Sequence, residues 1–208
     1  MQTIPFNQLA AKNADAPRAI SQTGKYIGGI LTAEMYETES GAEFIELIFK
    51  DSETNALARI NTCIRAKDGT ETRSMGQIQA LMGIVGAKEI TPTEGTFLQA
   101  DGSNRKGYHL PELEKKRCGL LLQRQNDCYT NKQGEVKEFW QMVIASVFDS
   151  QSEQTYHEKE AGKPAKSIDM RLSRLTDYDT KRLKEWRSQK GQSKSASAEP
   201  YPDEDIPF

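Results

Sequence analysis

Between residues 26 and 65 apolar and polar side chains change places at every second position, the period of a strand with one buried face. In "YIGGILTAEMY" the alternation sets Ile27, Leu31, Ala33 and Met35 on one face, with Tyr26, Ile30, Thr32, Glu34 and Tyr36 on the other. Gly28-Gly29 inside that strand marks a place where a sheet can bend sharply. A hairpin turn follows around Ser40-Gly41, and "FIELIFKD" then carries Ile45, Leu47 and Phe49 inward. The third strand, "LARINTCIR", points Ala58, Ile60, Thr62 and Ile64 inward and Arg59, Asn61, Cys63 and Arg65 outward. The period then changes. Met75, Ile78, Leu81, Met82 and Val85 recur at three- and four-residue spacing, which predicts an amphipathic helix that Gly86 can stop. Residues 91–116 read as a long polar connection, and "RCGLLLQRQ" and "FWQMVIASVF" as two further strands around a Lys-Gln-Gly tip.

The result is three strands, a helix and two strands. That is the element order of the oligonucleotide-binding (OB) fold, a five-stranded, partly open Greek-key barrel. The expectation is therefore a mainly β protein whose barrel covers residues 18–150, preceded by a loosely attached lead-in at 1–17. Residues 151–190 read as a polar linker and a basic helical segment of one or two short helices, with Leu172, Leu175, Leu183 and Trp186 as apolar points. From Gly191 the chain is rich in Ser and Ala without apolar periodicity, so 191–208 is expected to be a disordered tail.

Composition narrows the function classes. Apolar residues are 36% of the 208, below the usual level for a compact domain, which agrees with an unpacked portion. No apolar stretch nears the roughly 20 residues that span a bilayer, and no secretory-type start is seen, so a cytoplasmic protein is expected. Cys63, Cys118 and Cys128 are too widely spaced for a zinc site and suit reduced thiols. No Gly-rich phosphate loop is present, and "GIVGAK" closes a helical pattern where a dinucleotide fingerprint would open one. His109 and His157 lie in polar surroundings, as do the acidic pairs Glu34/Glu37 and Glu112/Glu114. No catalytic role, cofactor or metal is expected.

The net charge of −2 hides an uneven distribution: residues 171–190 carry +4, and 191–208 carry −3. Local patches set the field that a polyanion meets. Single-strand binders combine cations for phosphates with flat side chains on which bases stack. The candidates are Tyr36, Lys50, Arg59, Arg65 and Lys67 on the first three strands, and Arg124, Tyr129, Lys132, Lys137 and Trp140 on the last two. The basic set at 171–190 either extends that path or packs its apolar points on the barrel, and both readings stay open.

The chain closes on "DEDIPF", and this stretch resembles the C-terminal motif of bacterial single-stranded-DNA-binding proteins, in which aspartates precede Ile-Pro-Phe. The matching residues are Asp203, Glu204, Asp205, Ile206, Pro207 and Phe208, with Glu204 the one departure and its charge kept. The resemblance implies a docking peptide that recruits replication, recombination and repair enzymes. Pro207 biases the tip toward an extended form, and Phe208 offers a ring and a carboxylate to a pocket edged by arginine. "GKYIGGILTAEMYETESGAEFIELIF", "QIQALMGIVG" and "RCGLLLQRQ" are similar to phage and prophage single-strand binders of the OB fold. What this implies is a non-catalytic protein that coats single-stranded DNA, with a homo-oligomer left open. The alternative is an adaptor whose barrel binds protein and whose tip mimics the host docking peptide.

Overall fold

β1 (Gly24–Glu37) is the strand around which the others assemble. The computed structural model describes residues 18–98, 104–131 and 133–192. One edge of β1 pairs antiparallel with β2 (Glu43–Asp51), which pairs in turn with β3 (Leu57–Arg65). Its other edge is divided. Gly24–Gly29 pair with β6 (Arg117–Thr130), whereas Glu34 and Met35 pair with β5 (Asn104–His109), the inner strand of a hairpin with β4 (Thr93–Leu98). β6 forms a long hairpin with β7 (Val136–Phe148) and a short parallel pairing with β8 (Tyr178–Asp179).

The described strands thus make one open sheet of eight, mainly antiparallel. The mainly β class matches expectation. β3 and β7 run beside each other with no ladder between them, so the described sheet is not a closed barrel. Among the described residues no helix is long and apolar enough to cross a membrane.

The predicted faces of β2 and β3 hold: Ile45, Leu47 and Phe49 are buried, as are Ala58, Ile60 and Ile64, while Thr62 is half-buried. Those of β1 do not. A bulge between Ile30 and Thr32 inserts one residue into the ladder and inverts the alternation beyond it. Ile30 and Ala33 are both fully buried in consequence, and Leu31 is turned out to 43% exposure. At Gly28, paired on both edges of β1, a Cβ would fall 1.9 Å from the Lys50 carbonyl oxygen. Glycine there answers close backbone approach.

α1 (Arg73–Val85) follows β3. The Thr72 side chain accepts a hydrogen bond from the Ser74 amide, and Gly86 ends the helix in a left-handed conformation (φ 75°). Ile78, Leu81 and Ile84 face the core, with Met75, Met82 and Val85 around them. The helix lies against β3 and β7.

The polar connection expected over 91–116 is instead the β4–β5 hairpin. Its backbone supplies the pairing, and Phe97, Leu110 and Leu113 supply the burial, too sparsely for a visible period. The linker expected to join the last two strands is largely strand as well: β6 runs to Thr130, and the Asn131 side chain accepts from the amides of Gln133 and Glu135 to close the tip.

Residues 150–192 return to the sheet. α2 (Tyr156–Glu160) and α3 (Ser167–Leu172) are tied by the buried Glu158 carboxylate, and α4 (Lys181–Gln192) seats a fully buried Leu183 beside β6. Leu175 and Trp186 are half-buried. Arg182 donates to both oxygens of Asp127 on β6 (3.0 and 2.6 Å), and Arg187 pairs with Glu138 on β7. Arg182 and Arg187 are therefore occupied in holding α4 to the β6–β7 ribbon.

Candidate nucleic-acid interface

The outer face of β1–β3 carries the expected Arg and Tyr side chains, but most have partners. Cross-strand register sets Tyr36 opposite Phe44, and their rings stack with centroids 5.6 Å apart. The Arg105 guanidinium from β5 lies 3.5 Å from the Tyr36 ring centroid and pairs with Glu34 at 3.0 Å. Burial pushes the Glu34 carboxyl above its ordinary value, against the opposing pull of Arg105. Asn61 donates to the Tyr36 hydroxyl at 2.7 Å. Arg59 is held by Glu46 (2.8 Å), and Arg65 by Glu43 (3.2 Å) and Glu71 (3.8 Å). Lys50 and Lys67 are exposed at the ends of β2 and β3.

A cleft of about 720 Å³ lies between β3 and the β6–β7 ribbon. Its walls include Asn61 and Phe44, Arg73 and Gln77 from the first turn of α1, and Gln123, Gln125 and Gln141 from the ribbon. The segment after α3 closes one side with Leu175 and Tyr178, beside Arg171. A bulge between Leu121 and Leu122 sets the phase of the ribbon. Gln123, Gln125, Asp127 and Tyr129 consequently share one face with Val143, Gln141, Phe139 and Lys137. Beyond the cleft that face runs out to Phe139 and Tyr129, an edge-to-face pair 5.8 Å apart, 36% and 48% exposed. Asp127 is occupied within it. Burial would raise its carboxyl, but hydrogen bonds from Arg182, Thr180 and the Cys128 amide hold it below the ordinary range.

Seven of the ten expected DNA-binding residues are thus divided among three surfaces, with Lys50 and Lys67 at strand ends. Tyr36, Arg59 and Arg65 lie on the outer face of β1–β3; Tyr129 and Lys137 share the cleft face of the ribbon, where Lys137 pairs with Glu135 at 3.2 Å. Arg124 and Trp140 are on the opposite ribbon face. There Arg124 lies 4.8 Å from the indole centroid, and Trp140 packs on the core. Lys132 and the tip residues Asp203–Phe208 lie outside the described residues.

Phe44, Asn61, Arg73, Gln77, Phe139 and the alternating glutamines are not among the expected binding residues. The period-2 amide row of "QRQ", with Gln141 opposite, is the signal that marks those glutamines in the sequence. Among the described residues no three His, Cys, Asp or Glu side chains gather as a metal site would need. No family model matches the chain, and no curated protein matches it.

Proposed function

We propose that this is a non-catalytic single-stranded-DNA-binding protein of phage or prophage type, working in the cytoplasm of a bacterial host. It coats unpaired DNA during replication and recombination, and recruits partner enzymes through Asp203–Phe208. The order β1-β2-β3-α1-β6-β7, with the β4–β5 hairpin inserted, supports an OB-type body. The observation that carries the reading is the cleft. Arg73 and Arg171 supply cations for phosphate, and the same ribbon face leads out to two exposed rings suited to base stacking. Duplex DNA, with its bases already stacked, has no use for those rings.

The adaptor reading draws on a different observation. Arg59, Arg65 and Lys137 are neutralised by carboxylates, which lowers the positive field expected of a DNA path. Titration separates the two. Fluorescent oligo-dT should bind tightly at low ionic strength, with affinity falling as salt rises, and duplex of the same length weakly. Replacing both Tyr129 and Phe139 by Ala should cost roughly tenfold or more, at about 1–3 kcal/mol per stacked base. A chain lacking the last eight residues should bind DNA more tightly, because its acids no longer compete for the cations. Equal affinity for duplex and single strand, or none for oligo-dT, would overturn the proposal in favour of the adaptor.

A further inference from the structure

The polar ends that the cleft presents are not a balanced mixture. Gln77 donates its amide nitrogen to the Ile144 carbonyl, and Gln123 donates its own to the Thr176 carbonyl at 2.7 Å. A backbone carbonyl only accepts, so the orientation of both amides is fixed: nitrogen toward the wall, oxygen left over. Neither oxygen accepts a hydrogen bond among the described residues. Gln141 and Gln125 spend one nitrogen and one oxygen on each other (3.2 Å), so this pair presents an oxygen and an amine in balance and is no part of the bias. Asn61 donates to Tyr36, and its Oδ1 is buried with no partner. Gln77, Gln123 and Asn61 therefore each have the amide nitrogen engaged and the oxygen unclaimed among the described residues. The strong donors, the guanidinium groups of Arg73 and Arg171, suit phosphate.

We infer that this acceptor-lined cleft selects bases that carry an exocyclic amine, so that cytosine binds in preference to uracil or thymine. The inference rests on the single-strand reading above and adds a base preference to it. Cytosine presents an N4 amine with two N–H donors. Uracil and thymine place a carbonyl oxygen at that position, which would face the oxygens of Gln77 and Gln123 and leave them unsatisfied. Rings stacked toward Phe139 and Tyr129 still bind whichever base they carry, so the preference is a bias on general affinity.

Fluorescein-labelled oligo-dC and oligo-dU of equal length differ in this edge and share sugar and backbone. Neither carries the thymine methyl. With full-length protein at mildly alkaline pH, where cytosine is neutral, oligo-dC should bind roughly two- to tenfold more tightly, the value of about one neutral hydrogen bond. The double variant Gln77→Leu/Gln123→Leu should bring the two affinities together, with a thermal melt reporting that it folds. Equal binding of oligo-dC and oligo-dU by the wild type overturns the base preference and leaves the single-strand reading standing. So does a folded double variant that keeps the full ratio, since the preference would then arise elsewhere. Binding of neither strand removes the single-strand reading and this inference with it. Should the double variant fail to fold, the wild-type ratio alone decides.

Discussion

Glu158→Gln is an isosteric change with a large expected effect. The side chain is 4% exposed and accepts four hydrogen bonds. One oxygen takes the Thr155 amide and hydroxyl (both 2.9 Å), closing the capping box of α2; the other takes the amides of Lys166 (3.0 Å) and Ser167 (2.8 Å). Glutamine keeps one acceptor and turns an NH2 group toward the other pair of donors. Two bonds to a charged acceptor are lost, each worth about 1.5–3 kcal/mol, and partial rehydration of amides near the surface returns some of this, leaving a net cost of about 3 kcal/mol. For a chain of this size that is a drop of roughly 6–12 °C in melting temperature. The pH dependence adds a second readout. Burial alone would raise the Glu158 carboxyl, but the hydrogen bonds from Lys166, Ser167 and Thr155 outweigh it and hold the group far below its ordinary range. A carboxyl depressed in the folded state contributes fully above the unfolded value of about 4.3, and its contribution fades as the pH falls below that. The gap between wild type and variant should therefore be constant near neutrality and narrow in acid. Asp149, held at about 2 by Lys159 and the Ser152 amide, gives both proteins a shared acid sensitivity that cancels in the difference. Hydrogen exchange at the Thr155, Lys166 and Ser167 amides should quicken in the variant. A variant that melts with the wild type, or a gap that widens in acid, would refute the assignment.

Two other changes test the packing. Gly28→Ala should destabilise by about 3 kcal/mol or more, at the top of the overpacking range, because the obstacle is the Lys50 carbonyl and not a movable side chain; a thermal melt equal to wild type would show that β1 and β2 can part there freely. Burial pushes the Cys118 thiol up to about 12, so in the native protein at about pH 8 it should resist iodoacetamide while the half-buried Cys63 is labelled first; peptide mapping that finds Cys118 modified as fast would contradict the burial.

How much of this was legible beforehand follows the physics of each element. β2, β3 and α1 are plain, since the apolar residues of each recur at one period over most of its length. β1 and β6 were legible as strands but not in phase, because a bulge changes which side chains face inward without changing composition. Leu31 is misplaced for that reason, whereas Arg124 and Tyr129, five residues apart on a regular stretch of β6, fall on opposite faces by alternation alone. The β4–β5 hairpin was invisible: pairing through the backbone leaves little trace in "TEGTFL" or "NRKGYH". The cations of the candidate site were legible as residues, but their partners were not. Glu46 reaches Arg59, and Glu43 reaches Arg65, only through register between neighbouring strands. The cleft depends on Gln77, Gln123 and Tyr178 meeting from three distant parts of the chain, a coincidence that no local pattern records.

The divided edge of β1 also has a cost in time. β2 emerges from the ribosome directly after β1, but the strand that covers Gly24–Gly29 arrives only with Leu122, about a hundred residues later. At translation rates of roughly 5–20 residues per second, that edge of β1 stays bare for on the order of 5–20 seconds. An uncovered strand edge is a template for joining any other strand nearby, including those of neighbouring nascent chains on the same message. Slow synthesis across residues 66–116 should therefore favour aggregation during overexpression, and a chaperone that shields strand edges should relieve it.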